Sequence, residues 1–226
     1  MLKGYRQIAN TKWFDVVVAS PLMVFYAFAI FGMVVRALPD LRGLAAHMDG
    51  TRALSIVSQF VTMVFFGVQI ALFVIRRVPL AKASGIWPRA AAIVGSNLQI
   101  AFLLVPRIEY GATVRIVSLL LIIAGTATSI GVVCFLGKSF SILPQARSLT
   151  MSGPYRFVRH PLYLTEQIAT LGVMFQFAAP WSFLIATASF ATQFPRMHYE
   201  EEILSASFPA YRDYVKRTAR LIPGIY

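Results

Sequence analysis

The sequence predicts an all-α membrane protein with five to six transmembrane helices, the last apolar stretch folding back on itself as a helical hairpin. Three observations predict it. The 226-residue chain is 58% hydrophobic and only 13% charged, far less charge than a soluble domain of this length carries. Four apolar runs contain no charged side chain, and the basic residues fall in the short gaps between them. A later 35-residue stretch, 161–195, holds a single charge, Glu166.

The four runs are Val16–Val35 (20 residues), Ala53–Ile75 (23), Ala90–Pro106 (17) and Ile116–Gly137 (22). A helix rises about 1.5 Å per residue and the hydrocarbon core is about 30 Å thick, so about 20 residues span it. Three runs meet that length. The third is short, and Trp87 and Pro88 extend it at the interface. Helix is required because lipid satisfies no loose backbone group. The first run comes after Lys3, Arg6 and Lys12, a basic start like that of a signal peptide. It exceeds the usual h-region of about 7–15 residues, and more spans come after it, so it reads as an uncleaved first span.

As one helix, 161–195 would reach roughly 52 Å, too long for a single span. Ala178-Ala179-Pro180-Trp181 breaks it, because proline removes a backbone donor and disfavours helix just before it. The chain therefore divides into a four-span N-terminal region, 1–137, and a C-terminal module, 138–226, made of a loop, the hairpin and a final helix.

The net charge of +12 invites a nucleic-acid reading, but nucleic-acid binders cluster basic residues on one solvated face. Here their placement sets topology. With the N-terminus in the cytosol, 16 of the 21 Lys and Arg lie on the cytosolic side. The positive-inside rule then puts both termini, and segments 138–160 and 196–226, in the cytosol. The expected partners are the lipid bilayer and no nucleic acid. One cysteine, Cys134, excludes an internal disulfide, and His47, His160 and His198 are too scattered for an HExxH-type zinc site.

Two polar patches stand out. The first is Ser152-Gly153-Pro154-Tyr155-Arg156-Phe157-Val158-Arg159-His160-Pro161-Leu162-Tyr163. Gly-Pro marks a turn, Pro161 suits the first position of a helix, and His160 and Tyr163, three apart, share a face. The second is Arg196-Met197-His198-Tyr199-Glu200-Glu201-Glu202, with Leu204, Phe208, Tyr211 and Tyr214 after it. The hairpin brings the two patches together. Plain readings stand beside functional ones. Arg159, His160 and Tyr163 also suit interface anchors, Arg196 and Glu200 an ordinary i,i+4 pair, Glu200–Glu202 a solvated turn, and Tyr211 and Tyr214 packing. Glu166 differs, because a carboxylate inside an apolar hairpin is costly and marks a site by default; six residues in, it also lies within reach of the interface.

Taken in order, Gly153-Pro154-Tyr155, Arg159-His160-Pro161-x-Tyr163, the apolar hairpin, Arg196, Glu200-Glu201-x-x-Leu204, Phe208, Tyr211-x-x-Tyr214 and Leu221-Ile222-Pro223 resemble the isoprenylcysteine carboxyl methyltransferase family and its phospholipid methyltransferase relatives. The resemblance covers about residues 147–226. Thr165 and Pro209 stand where that family usually has glycine. The resemblance implies methyl transfer from S-adenosyl-L-methionine to a lipophilic acceptor at the cytosolic membrane face. It assigns cofactor contacts to Arg147, Ser148, Leu149, Thr150, Tyr155, His160, Pro161, Leu162, Tyr163 and Glu200. Arg196 would face the acceptor as the catalytic residue, with Glu166 beside it. No metal is implied. An isoprenylcysteine-like carboxylate, a phospholipid amine and a small thiol are the candidate acceptors. A second class with a similar C-terminal module, the NADPH-dependent membrane sterol and enone reductases, is usually larger.

Overall fold

The computed structural model describes residues 11–42 and 49–224. Lys3, Arg6 and His47 lie outside the described residues. The chain folds into α1 (Lys12–Arg42), α2 (Gly50–Ile75), a two-residue strand β1 (Ala81–Lys82), α3 (Trp87–Asn97), α4 (Ala112–Leu136), β2 (Gln145–Ala146), α5 (Pro161–Met174), α6 (Trp181–Ser207) and α7 (Pro209–Arg217). Three helical segments, Lys12–Pro39, Gly50–Ile75 and Ala112–Ser139, are long and apolar enough to cross a membrane. They correspond to the first, second and fourth apolar runs. Their outward faces are rich in exposed Phe, Val, Leu and Ile, among them Phe28, Phe31, Phe60 and Leu120. Water would penalise that surface and lipid tails do not.

The third run is not one helix. α3 ends at Asn97 and the chain tightens into a 3₁₀ helix, Leu98–Leu104. Asn97 donates from its side chain to the Ile93 carbonyl at 2.8 Å, the local competition by which polar side chains unsettle a helix. The tighter turn rises about 2.0 Å per residue, so the two pieces together still reach about 30 Å.

α1 packs on α2, α2 on α4, α4 on α5, and α5 on α6, while α3 packs on α6. The α4–α5 contact is the closest. A Cβ on Gly125 would sit 2.4 Å from the Ala169 nitrogen, so only glycine lets these backbones approach, as is common between helices in lipid. Thr165 faces the same seam, where Ser129 donates to its hydroxyl at 2.8 Å.

The apolar stretch 161–195 breaks where expected, between α5 and α6, with a cis Ala179–Pro180 bond. Beyond the break α6 continues through Pro195 to Ser207 as one 27-residue helix. Arg196 and Glu200 therefore stand on the same rigid rod as the hairpin's second arm. β1 and β2 pair antiparallel, Ala81 with Ala146 and Lys82 with Gln145. They tie the α2–α3 connection to the loop before the first polar patch.

Candidate functional site

The site grows from two local devices. Gly153 has φ +60°, and a Cβ there would lie 2.4 Å from Phe135. Only glycine adopts that backbone against that ring without strain, and the turn it makes delivers Tyr155 to the interior. Pro161 then starts α5, which fixes His160 at its N-cap and Tyr163 one turn in. The segment before α5 is held by the C-terminal tail: Arg159 N–H donates to the Ala219 carbonyl at 2.9 Å and His160 N–H to that of Arg220 at 3.1 Å.

α6 supplies two neighbouring carboxylates with different tasks. Glu201 is a hub. It accepts hydrogen bonds from Arg159 Nε and His160 Nε2 at 2.9 Å each and from Arg220 Nε at 3.1 Å. Burial pushes its carboxyl upward, but the His160 hydrogen bond and the charges of His160, Arg159 and Arg220 outweigh that and hold it at about 2. Glu200 instead takes the Tyr163 hydroxyl at 3.0 Å and lies 3.5 Å from His160 Nδ1. His160 thus has a carboxylate at each ring nitrogen, and only the imidazolium donates to both. Burial lowers its proton affinity, yet the two glutamates raise it above the ordinary value of 6.5.

Aromatic faces complete this end. His160 and Tyr163 stack with centroids 5.4 Å apart, and the Arg196 guanidinium carbon lies 4.5 Å from the Tyr163 ring centre. Arg196 is 7% exposed. It donates through Nη1 to Gln193 at 2.8 Å, and its Nε–H has no partner among the described residues. Tyr214 donates to the Tyr155 carbonyl, and Tyr211 packs beside Tyr214.

These groups line one cavity of about 640 Å³. Of the twelve residues singled out in the sequence, ten are on its wall: Ser148, Leu149, Thr150, Tyr155, His160, Leu162, Tyr163, Glu166, Arg196 and Glu200. Pro161 is buried at the start of α5. Arg147 turns away from the cavity, its guanidinium forked onto Asp15 at 2.8 and 3.1 Å. The cavity continues between the helices past Gln69, Thr126 and Phe102 to Arg107, so it joins a charged end to a shaft of mixed polar and aromatic lining.

Three contributors escape a reading of the sequence. Glu201 looks like one more residue of a solvated turn. Arg220 sits in a tail with no motif of its own. Asp15 gives one signal, an acidic residue directly before a 20-residue apolar run. No group of three His, Cys, Asp or Glu able to hold a metal ion is found among the described residues.

Helices of membrane length surrounding one cavity, charged and aromatic at one end and of mixed polar and apolar lining beyond, define an integral membrane protein with a site for a two-part ligand. Residues 107–210, a little under half of the chain, match the family model for phospholipid methyltransferases. The match begins ahead of α4 and ends within α7. Its members generally use S-adenosylmethionine. Among curated proteins, the chain is 30% identical over 82 residues to the nickel-cobalt-cadmium resistance protein NccN of Alcaligenes xylosoxydans xylosoxydans. It is 32% identical over 83 residues to the cobalt-zinc-cadmium resistance protein CzcN of Cupriavidus metallidurans. These alignments take in 36% and 34% of the chain, and 38% and 37% of the relatives' own lengths.

Proposed function

We propose that the protein is an integral membrane S-adenosyl-L-methionine-dependent methyltransferase acting on a lipophilic acceptor, isoprenylcysteine carboxylate-like, at the cytosolic membrane face. One observation carries the reading: residues from five separate segments, the 148–150 loop, Tyr155, the start of α5, the second half of α6 and α7, converge on the charged end of one cavity that runs on between the helices. On this reading the 138–226 module holds the chemistry, five to six segments span the bilayer, and both termini face the cytosol.

The residues fit the cofactor. A cation is favoured beside aromatic rings, and Tyr155 lines the charged end of the cavity. Glu200, which takes the Tyr163 hydroxyl and faces His160 Nδ1, keeps acceptor capacity for ribose hydroxyls or an amine. Leu149, Thr150 and Leu162 line the same end. When bound, the cofactor supplies an electrophilic methyl group on a sulfonium.

The protein's own part is alignment and exclusion of water. A carboxylate acceptor is already a nucleophile and needs no base. Arg196 offers it a free Nε–H beside a delocalised charge, and charge-assisted contacts of this kind are the strong ones. Glu166 borders the same stretch of cavity and sets the polarity around the acceptor head. The shaft, where Phe25, Phe65, Phe66 and Phe102 stand among its polar lining residues, takes the acceptor's hydrocarbon. A phospholipid amine and a small thiol are the alternative acceptors.

The test is methyl transfer from labelled cofactor into membrane extracts, with identification of the labelled product. Because the two relatives are named for metal resistance, extracts from cells grown with and without cobalt or cadmium should be compared. A labelled lipophilic product supports the reading. NADPH-dependent reduction without methyl transfer would replace it with the reductase class.

A further inference from the structure

Asp15 and Arg147 are 132 residues apart in sequence, yet they form a two-pronged pair inside the protein. Arg147 Nη2 donates to Asp15 Oδ1 at 2.8 Å and Nη1 to Oδ2 at 3.1 Å. The side chains are 0% and 5% exposed. Arg147 Nη1 also donates to the Arg77 carbonyl, and Nη2 to Gln145 at 2.6 Å. Asp15 takes a second guanidinium through Arg76 Nε at 2.8 Å. A buried charge with no partner is strongly unfavourable, so α1 must present its carboxylate wherever Arg147 goes.

The three residues after Arg147 give the pair its meaning. Ser148, Leu149 and Thr150 all line the cavity at its charged end. The hydroxyls of Ser148 and Thr150 meet that of Ser139. On the other side the chain is sewn to the α2–α3 connection, with Leu80 N–H donating to the Ala146 carbonyl at 2.7 Å and Ala83 N–H to that of Pro144 at 3.0 Å. Residues 144–147 are therefore anchored by backbone and ion pair, and 148–150 project from that anchor into the site.

We propose that Asp15 is a positioning residue for the cofactor segment, acting through Arg147 to set Ser148, Leu149 and Thr150 against the cavity. Arg147 is then a tether and not a cofactor contact. This rests on the methyltransferase reading, since it assigns the 148–150 wall to the cofactor. It also gives α1, which lies outside the family-matched segment, a part in the site.

The experiment measures S-adenosylhomocysteine binding by calorimetry, with the purified full chain in detergent, alongside thermal unfolding. Wild type binds, Asp15→Asn and Arg147→Gln each weaken binding at least tenfold, and the double variant is no weaker than either single one, because both remove the same interaction. Arg76→Gln is the control. It removes the other arm of the cluster and leaves the Arg147 fork, so its unfolding temperature falls while its affinity stays within twofold of wild type. Equal loss of affinity in Arg76→Gln and Asp15→Asn would reduce the cluster to general stability and overturn the proposal. If Asp15→Asn does not fold, Arg147→Lys carries the test. It keeps the charge and loses the planar fork, and unchanged affinity there overturns the proposal too. Absence of binding by wild type would instead count against the methyltransferase reading itself.

Discussion

Two carboxylates, one buried and one partly buried, gather cations in this protein, and they differ in what they leave open. Asp15 binds Arg76 and Arg147, lies 5% exposed, and takes no part in the cavity wall. Glu201 binds Arg159, His160 and Arg220, lies 17% exposed, and stands next in sequence to Glu200, which does face the cavity. The first cluster closes a junction between helices and a loop. The second locks the cations around it and so leaves its neighbour available to a ligand. Arg196 shows the same division among cations. Four arginines are held by carboxylates, whereas Arg196 is held by an amide and an aromatic face and keeps a free donor. Its countercharges, Glu166 and Glu200, act on it at longer range, which leaves direct pairing on the cavity wall to a ligand.

The largest effect expected from this contrast is on stability. Glu201→Gln leaves three cations around a neutral amide. It should destabilise the protein by about 3 kcal/mol, the low end for breaking a buried pair because the hub is partly exposed. Thermal unfolding in detergent measures it, and Glu202→Gln, on the exposed side of α6, should change little. A loss from Glu202→Gln as large as that from Glu201→Gln would dissolve the distinction between hub and surface.

Arg196 should act on turnover. Arg196→Ala removes a charge-assisted contact worth about 1.5–3 kcal/mol, a ten- to hundredfold loss of methyl transfer, with cofactor affinity nearly intact. Arg196→Lys sharpens the test. If Arg196 only snorkels, lysine does so equally well; if it forks onto an acceptor head, lysine is deficient too. Normal turnover in the lysine variant would remove the acceptor role.

Gly95 gives a smaller, indirect version of the same effect. A Cβ there would lie 2.5 Å from Arg196 Cδ, so Gly95→Ala must displace the arginine stem. Overpacking of this kind costs about 1–3 kcal/mol. Turnover should fall severalfold while S-adenosylhomocysteine affinity holds, and equal loss of both would show that α3 supports the whole site instead.

The smallest effect is in pH. Glu201 is depressed to about 2 from 4.5, so its stabilisation is fully present above 4.5 and disappears as pH falls toward 2. His160 is raised above 6.5, so its stabilisation is present below 6.5 and is lost as pH rises through the folded-state value. The hub should be firmest between about 4.5 and 6.5. His160→Gln should abolish the alkaline decline in unfolding temperature and keep the acid one. A decline of unchanged size in that variant would assign it to another group.

The parts of this picture that are legible in the sequence are local or strongly periodic. Charge-free runs near 20 residues announce three long helices, and the spacing His160-x-x-Tyr163 with Glu200 on the hairpin's return arm places the charged end of the cavity. The α3 break is hidden because Ser96-Asn97 carry no charge and pass as apolar-run residues. Pro195 suggests an end to the second arm, yet tertiary contacts along α6 carry the helix past it. The Asp15–Arg147 pair depends on how α1 packs against the far end of α2, which no short-range pattern reports. Neighbouring Glu200 and Glu201 look alike in sequence. Only the arrival of Arg159 and Arg220 from two other segments separates them.

The division between Glu201 as hub and Glu200 as ligand carboxylate is the central claim, and one titration tests it most directly. S-adenosylmethionine is titrated into the purified full chain as wild type, Glu200→Gln and Glu202→Gln in detergent. Wild type should bind, Glu202→Gln should match it, and Glu200→Gln should be at least tenfold weaker, about 1.4 kcal/mol, with its unfolding temperature close to wild type. Equal affinity in all three proteins, or no binding by wild type, would contradict it.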